Sequence, residues 1–164
     1  MKEKIVVFSW TGNTAACAVA LQQEMGIESF LLVEEKERAG SKGFALGGLQ
    51  ASMGLKTKVK QMPDLSDVDV LLLGMPVWAG ATPPAINSFF NQSDISGKKV
   101  YVFVTQASDE VPKKLEAKLK KRIEAKGGQF VHMFVVSISR GKQMSVEAAL
   151  PRAQRWAKRI RTGE

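Results

Sequence analysis

Five short apolar runs punctuate the chain, at Ile5–Phe8, Ser29–Val33, Val68–Gly74, Val100–Thr105 and Phe130–Val136. Each is nearly continuous rather than alternating, which is how strands covered on both faces read. Between them lie stretches with apolar residues at helical spacing: Asn13–Met25, Pro83–Phe90, Val111–Lys126 and Val146–Ile160. Strict strand–helix alternation predicts an α/β fold with a parallel sheet between two helical layers. Five such strands with right-handed crossovers suit a three-layer, doubly wound five-stranded parallel sheet of order 2-1-3-4-5.

The stretch from Glu34 to Pro63 interrupts this rhythm, being too long for a simple connection. It carries Gly40, Gly43, Gly47, Gly48 and Gly54 around a short helical pattern with Ala45, Leu49 and Met53 on one face. A helix in a mobile excursion is expected, acting as a lid or partner contact or simply packing over the sheet edge. With no linker or internal repeat, the 164 residues read as one domain, 1–164.

In such a sheet, ligands bind outside the carboxyl ends of the strands, where the winding reverses. The loop after the first strand is Ser9-Trp10-Thr11-Gly12-Asn13-Thr14, running directly into a helix. Its hydroxyls, its glycine and the helix N-terminus suit a phosphate dianion without any lysine or arginine; otherwise the segment is a hydroxyl-rich capped turn. The loop after the third strand, Gly74-Met75-Pro76-Val77-Trp78-Ala79-Gly80, places Trp78 among turn formers at the same edge, where it can stack on a planar ring or pack inward. After the fourth strand, Thr105-Gln106-Ala107-Ser108-Asp109 offers polar groups for the edge of a heterocycle, or an ordinary capped turn.

Together these segments resemble flavodoxins. Ser9–Thr14 is similar to the flavodoxin phosphate loop, Leu71–Trp78 to the third strand and flavin loop, and Ser96-Gly97-Lys98-Lys99-Val100 to the approach to strand four. The resemblance implies FMN, with its phosphate at Ser9–Thr14, its ring system by Pro76, Val77, Trp78, Ala79 and Gly80, and the ring edge met by Thr105, Gln106, Ala107 and Ser108. It also implies an electron carrier; an FMN-dependent NAD(P)H:quinone-type oxidoreductase is the alternative. Three departures stand out. Flavodoxins are ordinarily acidic, whereas this chain has net charge +8. Its third loop holds no aromatic, and Ala79 stands where many relatives have glycine, followed by Gly80.

The remaining composition narrows the classes. One cysteine, Cys17, excludes an internal disulfide, and a lone histidine, His132, argues against a histidine-based metal site or a Ser-His-Asp triad. There is no Gly-x-x-x-x-Gly-Lys loop and no Gly-x-Gly-x-x-Gly loop. No apolar run is long enough for a membrane span, and the N-terminal run is too short for a signal peptide, so a cytoplasmic protein is expected. The basic stretches Lys113–Lys126 and Arg152–Arg161 read as solvated helix faces more readily than as a nucleic-acid surface. The charge instead favours acidic partners, whether a redox protein or a small electron acceptor.

Overall fold

The apolar runs become five parallel strands: β1 (Glu3–Phe8), β2 (Glu28–Leu32), β3 (Val70–Pro76), β4 (Lys99–Gln106) and β5 (Gln129–Ser137). The helices are α1 (Asn13–Met25), α2 (Gly40–Ser52), α3 (Pro84–Gln92), α4 (Lys113–Ala125) and α5 (Val146–Thr162). This is a computed structural model, and it describes residues 1–36, 38, 40–139 and 141–163. The strand order is β2-β1-β3-β4-β5, as expected. Every neighbouring pair is parallel.

Because side chains alternate across a strand, the sheet has two apolar faces that need separate cover. Val6, Phe8, Leu71, Leu73, Val102 and Val104 share one core with Ala51 of α2, Ile86 and Phe89 of α3, and Leu115 and Leu119 of α4. Ile5, Val7, Leu72, Tyr101, Phe103 and Phe134 share the other with Ala18 and Leu21 of α1 and Ala153 and Trp156 of α5. The register aligns the strand ends: Val7 pairs with Gly74, Pro76 with Thr105, and Gln106 with Ser137. The loops after β1, β3, β4 and β5 therefore emerge along one edge.

The long stretch between β2 and β3 forms α2, with Glu34 bridged antiparallel to Val59 before the chain enters β3. Residues 37 and 39 of this stretch lie outside the described residues. The expected apolar face is not the buried one. Ala45, Leu49 and Met53 are exposed, while Gly47 and Ala51 turn inward. The reason is steric: α2 lies against the Trp78 ring at Gly47, so closely that a Cβ there would meet Trp78 Cζ3 at 2.7 Å.

Candidate functional site

The loop after β1 leaves the sheet at Ser9 and enters α1 through Gly12, which adopts φ 91° and receives no side-chain cap. No acidic residue occupies the first turn of α1. The leading N–H groups of a helix have no partner within it and carry the positive end of its dipole. Ser9 Oγ adds a further unmet group: it is shielded from solvent and has no hydrogen-bond partner. Thr14 is buried, and its Oγ1 shares a hydrogen bond of 2.7 Å with Thr105 Oγ1, tying this loop to the one after β4.

Past β3, the Val77 N–H donates to Thr105 O at 2.9 Å and prolongs the pairing with β4. The chain then reverses at once. Trp78 N donates to Ala81 O at 3.1 Å and Ala81 N to Trp78 O at 2.9 Å. Between them Ala79 and Gly80 both take positive φ, 49° and 71°, as in a type I′ turn. Ala79 is the sole non-glycine residue with positive φ among those described.

Trp78 itself is only 4% exposed. Phe8 and Trp10 meet it edge-on at centroid distances of 5.5 and 6.2 Å, and the Arg38 guanidinium lies 5.5 Å from its centroid. Arg38 is held bidentately by Glu34, with Nε to Oε2 at 2.7 Å and the second contact at 2.9 Å, and its carbonyl accepts from Trp10 Nε1 at 3.0 Å. The tryptophan expected to face a planar ring is thus largely enclosed by protein. Trp10, half-buried beside it, has more surface toward the loop edge.

A cavity of about 370 Å³ opens at this edge, within the range of small-ligand sites. Trp10, Thr11 and Asn13 line it from the first loop, Pro76, Val77 and Trp78 from the second, and Thr105, Gln106 and Ala107 from the third. Ser9, Gly12 and Thr14 stand behind that lining, and Ala79, Gly80 and Ser108 are not part of it. Gln106 and Ser108 brace their own loop: Gln106 Nε2 donates to Ser108 O at 2.8 Å, and Ser108 Oγ accepts from Glu110 N at 3.1 Å.

The fourth wall is one that sequence reasoning missed. Ile138, Ser139, Gly141, Lys142 and Gln143, from the loop after β5, complete the lining. Met144 N donates to Asn13 Oδ1 at 2.8 Å, which holds this loop against the start of α1. Among the described lining residues Lys142 is the one charged side chain, and none is a carboxylate. The signal was present in the alternation itself, because a parallel sheet sends every strand-to-helix loop to the same edge.

An uncapped helix start, an unpartnered buried hydroxyl and a nearby lysine are suited to a phosphate group. The half-buried Trp10 and the apolar Val77 and Ala107 are suited to a flat apolar body. Cys17 takes no part. It is buried within α1, and burial pushes its thiol up to about 11.

Comparison with known proteins bears on the whole arrangement. Residues 50–144 match the family described as flavodoxin. A comparison with curated proteins gives no match. Among solved structures, one from Bacteroides uniformis, provisionally described as a flavoprotein, is 20% identical with a TM-score of 0.73, covering 96% of this chain and 97% of that one. A Lactobacillus acidophilus flavoprotein solved in complex with FMN is 20% identical with a TM-score of 0.68, over 82% of this chain and 92% of its own. Oxidised flavodoxin 2 from Bacillus cereus is 18% identical with a TM-score of 0.59, over 97% and 99%. At these identities the likeness is one of fold.

Proposed function

Because the chain belongs to the flavodoxin family, a family of FMN proteins, we propose that it binds FMN in the cavity at the carboxyl ends of β1, β3, β4 and β5 and serves in electron transfer. The observation that carries this reading is Ser9 Oγ, buried without a partner beside the uncapped start of α1. A buried hydroxyl left unsatisfied costs ~1–3 kcal/mol, a penalty that a bound phosphate oxygen removes.

FMN supplies the redox chemistry by accepting and releasing electrons. The chain's own residues bind and orient it. The first-turn N–H groups of α1, the hydroxyls of Ser9 and Thr11, and Lys142 hold the phosphate. Half-buried Trp10, with Val77, would lie against the ring system, Trp78 would back Trp10 edge-on from within the protein, and Thr105, Gln106 and Ala107 would meet the ring edge. No carboxylate, imidazole or thiol is among the described lining residues. The redox partner on this reading is acidic, since a net charge of +8 steers oppositely charged molecules toward the chain.

Paired titrations with FMN and riboflavin, on the native chain and on Ser9→Ala, test the proposal. FMN should bind at least about tenfold more tightly than riboflavin, because the phosphate donors find no partner in the latter. Ser9→Ala should weaken FMN alone while making the free protein more stable by ~1 kcal/mol. Equal affinities for the two flavins would remove the phosphate site and the reading with it.

A further inference from the structure

A second pocket, of about 310 Å³, lies between the end of α2, the turn after Gly80, α3 and α4. It shares no lining residue with the first cavity. Its charged lining residues are Lys118 and Arg122, and no carboxylate is among the described residues that line it. Arg122 is half-buried and lies over the Phe90 ring, 4.4 Å from its centroid. Its guanidinium donates to Asn87 Oδ1 at 2.7 Å and to Asn87 O at 3.3 Å. It takes part in none of the ion pairs found among the described residues.

The chemistry of this arrangement is unbalanced. An arginine presents five N–H donors and a permanent charge. Asn87 accepts from two of those donors, but its oxygens are neutral. Asn87 cannot turn to do more, being itself buried, with Nδ2 donating to Leu55 O at 2.8 Å and Oδ1 also accepting from Thr82 Oγ1 at 2.7 Å. It acts as a fixed bracket that holds the guanidinium at the pocket wall. A cation partly withdrawn from water without a counter-ion is disfavoured, and burial lowers the pKa of Arg122 accordingly.

A carboxylate matches the guanidinium fork with two parallel hydrogen bonds. Lys118, exposed at the rim, adds a second positive charge. Ala51, Ala81, Leu115 and Leu119 supply apolar groups to a lining that also holds Ser52, Thr82 and Asn87, and a bare inorganic anion would leave much of the space unfilled. We propose that this pocket binds a small organic carboxylate, its head group paired with Arg122 and Lys118 and its apolar body against Leu115 and Leu119.

Benzoate is the probe, titrated calorimetrically into the purified chain at low salt, beside benzyl alcohol and inorganic phosphate. Saturable binding of one benzoate is expected, weakened by added salt, with benzyl alcohol silent and phosphate weaker than benzoate. Arg122→Gln and Lys118→Glu should each weaken benzoate about tenfold or more, the scale of a charged hydrogen bond. Arg122→Gln also removes a bracket between α4 and α3. Lys118→Glu, on an exposed side chain, leaves that bracket in place and tests the pocket without disturbing the fold. An absence of saturable binding, an unchanged affinity in Lys118→Glu, or phosphate binding more tightly than benzoate would overturn the proposal. The two sites share no lining residue, and the titrations are made on the chain without added FMN, so their outcome is read separately from FMN binding.

Discussion

Two adjacent glycines in α2 should respond to the same substitution with opposite sign. Alanine in place of helical glycine gains ~1 kcal/mol of helix propensity, and Gly47 and Gly48 share that gain. Their surroundings differ. A Cβ at position 48 would stand 4.0 Å from Ala79 Cβ, in ordinary contact, whereas one at position 47 would stand 2.7 Å from Trp78 Cζ3 and 3.1 Å from Cε3. The Trp78 ring cannot yield freely, because Phe8, Trp10 and Arg38 surround it. Overpacking of this kind costs ~1–3 kcal/mol. Gly48→Ala should therefore stabilise the chain by about 1 kcal/mol, while Gly47→Ala is destabilising by ~0–2 kcal/mol. In thermal unfolding followed by circular dichroism, the two midpoints should differ by roughly 2–12 °C for a chain of this size. Since propensity cancels, that difference measures the overlap alone. Equal stabilisation by both variants would refute the close seating of α2 on Trp78.

Three further outcomes are open to simple measurement. Ala79→Gly removes an alanine from positive φ, relieving ~1 kcal/mol of strain against ~0.5 kcal/mol of added freedom in the unfolded chain, so the urea midpoint should rise slightly at unchanged slope. Cys17, with its thiol held up at about 11 and its side chain buried, should resist iodoacetamide at mildly alkaline pH in the native chain and react fully in denaturant. Burial, assisted by the Arg159 charge, lowers the pKa of His132 below its ordinary 6.5, so the unfolded chain takes up that proton first. Stability should therefore be full above the unfolded value and decline as pH falls through the depressed one, a slope that His132→Gln should remove in urea titrations at several pH values.

The central strands were legible because burial on both faces leaves its mark on nearly every residue. Ile5, Val6, Val7 and Phe8 are all nearly inaccessible, and no polar position interrupts them. The parallel arrangement followed from the alternation, and the strand order from the number of strands and the resemblance to flavodoxins. The cavity was legible where a loop has distinctive chemistry, as at Trp10, Thr11, Val77 and Gln106, and illegible where it does not. The stretch holding Ile138, Ser139, Gly141, Lys142 and Gln143 looks like any polar connection; the alternation sends it to the same edge, but its closing on this cavity depends on the pairing of β5 with β4, a long-range fact. The helix α2 misled for a related reason. Its apolar residue Leu49, and Met53 just past its end, are exposed while Gly47 faces in, because shape complementarity to one tryptophan outweighs the hydrophobic pattern there.

The hydrogen bonds that join the cavity walls also fix when the cavity can first exist. Thr14 is bonded to Thr105 across 91 positions of chain, and Asn13 to Met144 across 131. During synthesis the first loop leaves the ribosome early, with its helix start and unpartnered hydroxyl, yet its neighbours in the finished site are still untranslated. A nascent chain stalled before Met144 has cleared the exit tunnel lacks the fourth wall and the bond that anchors it to Asn13. Ligand capture is therefore a late event in biogenesis, gated by the emergence of the β5–α5 connection.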